Sequence, residues 1–166
     1  MAQKQIAAQT GTTAPKSTKK NQRSAGIVLK AGSLPIREYL ALRESVGWVR
    51  LSDQQAAAAM ANCLYCVSAW DGDKPVGMGR LVGDGAVIVY VQDLVIRPEY
   101  QSMGIGSLLI EDLIAYAESL REPGTTLMLD LMCAKGRERF YSSHGFLARP
   151  TDRLGPGMIR YLKDEV

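Results

Sequence analysis

Two hydrophobic periods share this chain, and the change between them divides it. Over 34–46 the apolar residues Leu34, Ile36, Leu40, Leu42 and Val46 recur at helical spacing. A second helix is expected over 52–62, where Ser52 and Gln55 form a capping box before an alanine-rich run. From Leu64 the pattern becomes strands punctuated by turns: 64–70 then Asp71-Gly72-Asp73, 75–82 then Gly83-Asp84-Gly85, and 86–96. Turns this short predict an antiparallel meander of three strands, with 26–30 as a short strand ahead of the helices. A helical stretch at 108–120 follows, stopped by Pro123-Gly124. Then come a strand at 125–132, a short helix at 136–144, and a final strand pair at 146–149 and 158–162. The unit 86–132 reads strand, helix, strand, which requires a right-handed crossover and a parallel pair.

With 166 residues and 46% apolar content, the chain suits one domain with a real core. Its net charge of +3 is lopsided. Lys4, Lys16, Lys19, Lys20 and Arg23 precede Ala25 with no acid among them, and taking these five from +3 leaves −2 for the rest. Residues 1–24 hold almost nothing large and apolar, so a flexible basic tail is expected ahead of a mildly acidic domain at 25–166. No apolar run nears the roughly 20 residues of a membrane helix and no signal-peptide core opens the chain, which makes the cytoplasm the expected location. Cys63, Cys66 and Cys133 are an odd set; Cys63-Leu64-Tyr65-Cys66 lacks a second Cys/His pair, and His144 is the only histidine. Reduced thiols are expected, with Cys63 and Cys66 in the core and no metal.

Between the third meander strand and the long helix lies Gln101-Ser102-Met103-Gly104-Ile105-Gly106-Ser107. Its glycines permit left-handed or crowded backbone, and the first amides of the following helix sit unpaired at the positive end of its dipole, a natural seat for phosphate. Position argues against two other glycine turns. A dinucleotide fold wants Gly or Ala where Leu109 stands, and normally starts a parallel sheet rather than following a meander; a P-loop wants Gly-Lys-Ser/Thr, which is absent.

The run Val91-Gln92-Asp93-Leu94-Val95-Ile96-Arg97-Pro98-Glu99-Tyr100-Gln101, continued by Ser102-Met103-Gly104-Ile105-Gly106, resembles the cofactor motif of GNAT-type N-acetyltransferases, Q/R-x-x-G-x-G/A. Downstream, Arg139-Phe140-Tyr141-Ser142-Ser143-His144-Gly145-Phe146 resembles the same family's short helix, tyrosine and Gly-Phe strand entry. The similarity in element order covers about 26–162. It implies an α/β fold with a mixed, mostly antiparallel sheet of about six or seven strands, a splayed parallel pair and about four flanking helices. It also implies acetyl-CoA as cosubstrate, lying in the gap between strands 86–96 and 125–132. Leu94, Val95 and Ile96 would pair through their backbone with the pantetheine arm, and the N–H groups of Gln101, Ser102, Met103, Gly104, Ile105, Gly106 and Ser107 would hold the pyrophosphate. Small size then matters at Gly104 and Gly106. The family's Asn near position 134 is Ala134 here, which removes one cofactor contact and leaves the backbone. Arg137 and Arg139 either reach cofactor phosphate or are solvated helix charges.

Given the resemblance, Tyr141 is the expected acid. Amine attack on a thioester expels a thiolate, and a phenol that stays protonated at neutral pH can supply the proton. Asp93 is the expected base or amine-binding anion. Strand alternation puts it on the face of Val91 and Val95, an odd place for a carboxylate unless a cavity borders it; simple satisfaction by a backbone amide is the alternative. The acceptor pocket is expected from 47–50 and 151–158, with Trp48 covering a cationic amine opposite Asp93, or else sitting in the core. The expected function is transfer of acetyl from acetyl-CoA to a primary amine, a small molecule foremost, by direct attack. A protein or peptide acceptor and a non-catalytic acetyl-CoA-binding module are the alternatives. The expected partners are that amine and a second copy in a homodimer. No membrane is expected, and the tail, lacking interleaved aromatics, gives no strong case for nucleic acid.

Overall fold

The computed structural model describes residues 26–162, so the basic segment 1–24 lies outside the described residues. Five strands, β1 (Ile27–Ala31), β2 (Tyr65–Asp71), β3 (Lys74–Gly83), β4 (Ile88–Ile96) and β5 (Met128–Asp130), form one sheet in the order β1-β2-β3-β4-β5. The first four pair antiparallel and only β4 with β5 is parallel, so the meander extends back to β1. Asp84 closes the β3–β4 connection: its Oδ1 accepts from the amides of Ala86, Val87 and Ile88 at 2.8, 2.8 and 3.1 Å.

Helices cover both faces. On one lie α1 (Ile36–Ser45) and α2 (Asp53–Ala61), whose Tyr39, Leu42, Ala56 and Met60 bury Cys66, Met78 and Val95. The capping box starts α2 as expected, Ser52 Oγ accepting from Gln55 N at 3.1 Å and Gln55 Oε1 from Ser52 N at 3.0 Å. On the other face α3 (Ile105–Leu120) presents Ile105, Leu109, Ile110, Leu113 and Ala117, a stripe at helical spacing, to Val67, Leu81, Val89 and Val91. Each of its large side chains, fully buried, stabilises by about 1.5–3 kcal/mol relative to exposure. Two glycines of β3 let α3 lie close: a Cβ at Gly79 would fall 2.7 Å from Leu113 Cδ1, and one at Gly77 3.3 Å from Leu109 Cδ1. A short α4 (Glu138–Ser142) follows β5.

Three expected strands need correction, and the sheet has five strands rather than six or seven. The segment 125–132 pairs with β4 only over Met128–Asp130, because the two chains part beyond Tyr90. The segments 146–149 and 158–162 join no strand of the sheet and are largely exposed, Leu147 at 72% and Met158 at 90%, although Phe146 packs against the core beside Tyr141. Alternation in sequence marks a segment that can extend; a ladder also needs an edge to receive it.

All three cysteines are free. Cys66 is buried, and burial pushes its thiol up to about 11; Cys63 is half-buried and Cys133 exposed. Among the described residues no helix is long and apolar enough to cross a membrane.

Candidate active site

The parting of β4 from β5 opens a cleft of about 1020 Å³. Its closed end is pinned by Tyr90, whose hydroxyl accepts from the Met132 amide at 2.9 Å just past the last ladder pair, Tyr90 with Asp130. A bulge shapes the other wall. Arg80 pairs with Gln92 and Met78 with Val95, so Gly79 alone faces Asp93 and Leu94, and Asp93 takes a left-handed φ of 56°. The extra residue switches the faces: Val91 packs under α3, while Val95 packs under α1 and α2. Asp93 therefore shares its face with Val95 and not with Val91, which corrects the simple alternation. Leu94, Val95 and Ile96 line the cleft immediately after the bulge.

Along the rim runs the glycine turn. Ser102 and Gly104 are left-handed, with φ of 62° and 86°. Gly104 caps α3 without a side chain, and the first amides that find an acceptor in the helix are those of Ser107 and Leu108, both on Gly104 O. The Gly104, Ile105 and Gly106 N–H groups are thus the orphans that every helix start presents. Gln101, Ser102, Gly104, Gly106 and Ser107 line the cleft, whereas the Met103 and Ile105 side chains anchor the turn in the core. Gly106 packs beside Phe140 of α4, 3.4 Å from where a Cβ would sit, a distance of ordinary contact, so packing alone does not demand glycine there. Gln101 ties the turn to β4, donating from Nε2 to Ile96 O at 3.1 Å, and receives Arg137 Nη2 on Oε1 at 3.2 Å. Arg137 and the turn together offer a guanidinium and free amides on one side of the cleft, a donor set that fits a pyrophosphate.

Across from the turn, α4 delivers Tyr141, and Ala134 lines the same wall. Phe140 and Phe146 hold the Tyr141 ring edge-on at 5.0 and 5.8 Å. Burial above all, then the nearby Cys133 and Tyr90, raises the Tyr141 pKa, with Arg137 opposing. The phenol is therefore a proton-bearing group throughout the neutral range.

Asp93 also lines the cleft, its side chain wholly buried. Oδ2 accepts from the Tyr39 hydroxyl at 2.7 Å and from Arg80 Nε at 2.7 Å; Oδ1 accepts from Arg43 Nη1 and from Gln92 Nε2 at 3.1 Å. Burial alone would raise its pKa, yet these donors outweigh that effect and leave it lowered. A carboxylate held ionised by four donors has little tendency to take a proton from a substrate. Trp48 also lines the cleft, 37% exposed, but its ring already covers a cation: the Arg43 guanidinium, 5.1 Å from the ring centroid. The structure thus brings Trp48 and Asp93 together as expected, with Arg43 between them. Tyr39, Arg43 and Arg80 escape sequence reasoning because nothing about a polar residue on an amphipathic helix or strand says it turns inward to a carboxylate. A left-handed aspartate within a strand is equally invisible in the letters. Tyr90 carried one signal, an aromatic at the last paired position of a strand expected to splay.

This fold and cleft are those of an acyltransferase scaffold, and comparison with known proteins agrees. A model of the acetyltransferase (GNAT) domain matches residues 61–147. The chain is 30% identical to a GNAT-family acetyltransferase of solved structure from Streptococcus pneumoniae, covering 83% of this chain and 99% of that one with a TM-score of 0.67. It is 28% identical over 145 residues to an uncharacterized N-acetyltransferase ycf52-like from Prochlorococcus marinus, 84% of this chain and 78% of that protein. It is 29% identical over 135 residues to the histone acetyltransferase TAP1 of Glycine max, 75% of this chain and 57% of the soybean protein's length. The chain belongs to the GNAT N-acetyltransferase family, whose fold implies acetyl-CoA as cosubstrate.

Proposed function

We propose that this protein moves acetyl from acetyl-CoA to a primary amine by direct attack in a ternary complex, with a small-molecule acceptor. The observation that carries the reading is the single cleft that holds the glycine turn, the bulged edge of β4 and the Tyr141 ring together. In this reading the turn amides and Arg137 hold the pyrophosphate, and the backbone of Leu94, Val95 and Ile96 pairs with the pantetheine arm. Gathering both reactants in one cleft supplies most of the acceleration by positioning. The amine nitrogen bonds to the thioester carbonyl carbon and the carbon–sulfur bond breaks. The sulfur leaves with its electron pair and takes the Tyr141 proton. The amine's own proton leaves through water in the open cleft, because Asp93, saturated with donors, anchors the bulge instead of acting as base. A protein acceptor is the second reading, favoured by one relative's name, the soybean histone acetyltransferase.

The test is CoA thiol release from acetyl-CoA against polyamines, arylalkylamines, aminoglycosides, amino acids and peptides. Turnover with at least one small amine, one thiol per acetylated product, is the expected result. Acetyl-CoA binding without turnover on any acceptor would reduce the protein to a binding module, and turnover confined to peptides would move the acceptor to the second reading.

A further inference from the structure

Two residues that line the cleft, Trp48 and Asp93, already hold a cation between them. Arg43, in the last turn of α1, sits between the Trp48 ring and the Asp93 carboxylate, the two groups that would otherwise receive a positively charged acceptor. It is fixed from several sides: Nη1 donates to Asp93, Nη2 to Val49 O at 3.3 Å, and the Tyr39 ring lies 5.7 Å away. Behind Asp93 stands a second guanidinium, Arg80, bonded to the same carboxylate and to Ala59 O. Two guanidiniums against one carboxylate leave a net positive charge, and Arg43 Nε is buried without a partner. Among the described residues, the ionisable groups that line the cleft are Asp93, already bonded to both guanidiniums, the tyrosines and Arg137, so none of them offers a free carboxylate there.

Resting on the acetyl-transfer reading of the cleft, we infer that Arg43 is an acceptor-selecting residue. As a built-in cation it fills the Trp48–Asp93 site, turns away di- and polyamines, and favours an amine that carries a carboxylate a few bonds from the reacting nitrogen. The acidic body of the chain points toward cationic acceptors; the local arrangement reverses that, because a field acts over a few ångströms in a partly buried cleft and is screened beyond about 8 Å. Arg43 has a mechanical part as well, linking the 46–51 loop that carries Trp48 to the bulged strand.

Three amines of equal length that differ only at the far end test this: γ-aminobutyrate, butylamine and putrescine, titrated by calorimetry into the CoA-saturated protein. The acid binds more tightly than butylamine by about tenfold or more, and putrescine binds most weakly. Arg43→Gln levels the three while CoA affinity is unchanged, and Arg43→Lys, which keeps the charge, retains the order. Putrescine binding as tightly as γ-aminobutyrate, failure of all three to bind, or the same order in Arg43→Gln overturns the inference. Should Arg43→Gln not fold, the wild-type order and Arg43→Lys still decide. Turnover in the same series, run with acetyl-CoA, separates the two claims. Preferential binding of the acid without acetylation removes the transfer reading and leaves the selectivity, whereas acetylation that favours putrescine does the opposite.

Discussion

Tyr141 and Asp93 both line one cleft, and their surroundings drive them to opposite proton states. Burial holds the proton on Tyr141 and displaces its titration upward from that of a free phenol, so a role as acid has no limb in the neutral range. Tyr141→Phe keeps the ring between Phe140 and Phe146 and removes only the proton. Turnover falls by roughly a hundredfold or more while acetyl-CoA affinity is unchanged, read from steady-state rates and a separate titration. An unchanged kcat would assign the ring to packing alone. Asp93 tests the opposite state. Asp93→Asn leaves Arg43 and Arg80 buried around a neutral amide and costs about 3–5 kcal/mol, measurable by urea unfolding at neutral pH. The sign of the pH dependence follows from the lowered folded pKa. Its contribution is fully present above the unfolded value of about 3.9 and disappears as pH falls through the lower folded value, so the variant's deficit shrinks in acid. A deficit constant down to pH 2 would mean that Asp93 is not what holds the guanidiniums.

At the scale of elements, position in the sheet was legible where local chemistry sets it and illegible where neighbours do. The meander announces itself by Gly-Asp turns, α2 by its capping box, and the turn into α3 by glycines ahead of a helical stripe. The bulge in β4 leaves no trace in the letters, because it arises where Gly79 offers no side chain opposite Asp93 and Leu94. It nonetheless decides which side chains reach the cleft. Nearby, Gly77 provides a sharper test: a Cβ there would meet the Val95 carbonyl oxygen at 2.9 Å, a backbone atom that only a shift of β4 can relieve. Gly77→Ala is expected to cost about 1–3 kcal/mol of stability and, on the proposed pairing of Val95 and Ile96 with the pantetheine arm, to raise the KM for acetyl-CoA more than it lowers kcat. Thermal unfolding and separate kinetic constants for the two substrates check this. A loss confined to kcat would show that β4 yields without disturbing the gap.

Across the whole molecule the cleft is made by parts that touch one another little in sequence: the end of β4, the start of α3, the segment after β5, and α4. A ligand that bridges them ties their local openings together, so its stabilising effect measures the site as a unit. Acetyl-CoA at a hundred times its dissociation constant should add about 2.7 kcal/mol, a rise in Tm of roughly 8 °C for a domain of this size. Gly104→Ala is the discriminating variant. Its left-handed φ of 86° strains alanine in the free protein, which lowers the starting Tm, and, if the turn amides hold the phosphates as proposed, displaces them and shrinks the ligand-induced rise. A mere structural glycine would lower the first and leave the second intact at matched saturation. Deleting residues 1–24 should alter neither quantity. The five positive charges there precede the first strand, and in the proposed reading the turn amides and Arg137 hold the phosphates. If the deletion halved the ligand-induced rise at low salt but not at high salt, the tail would have to be counted among the cofactor's electrostatic partners.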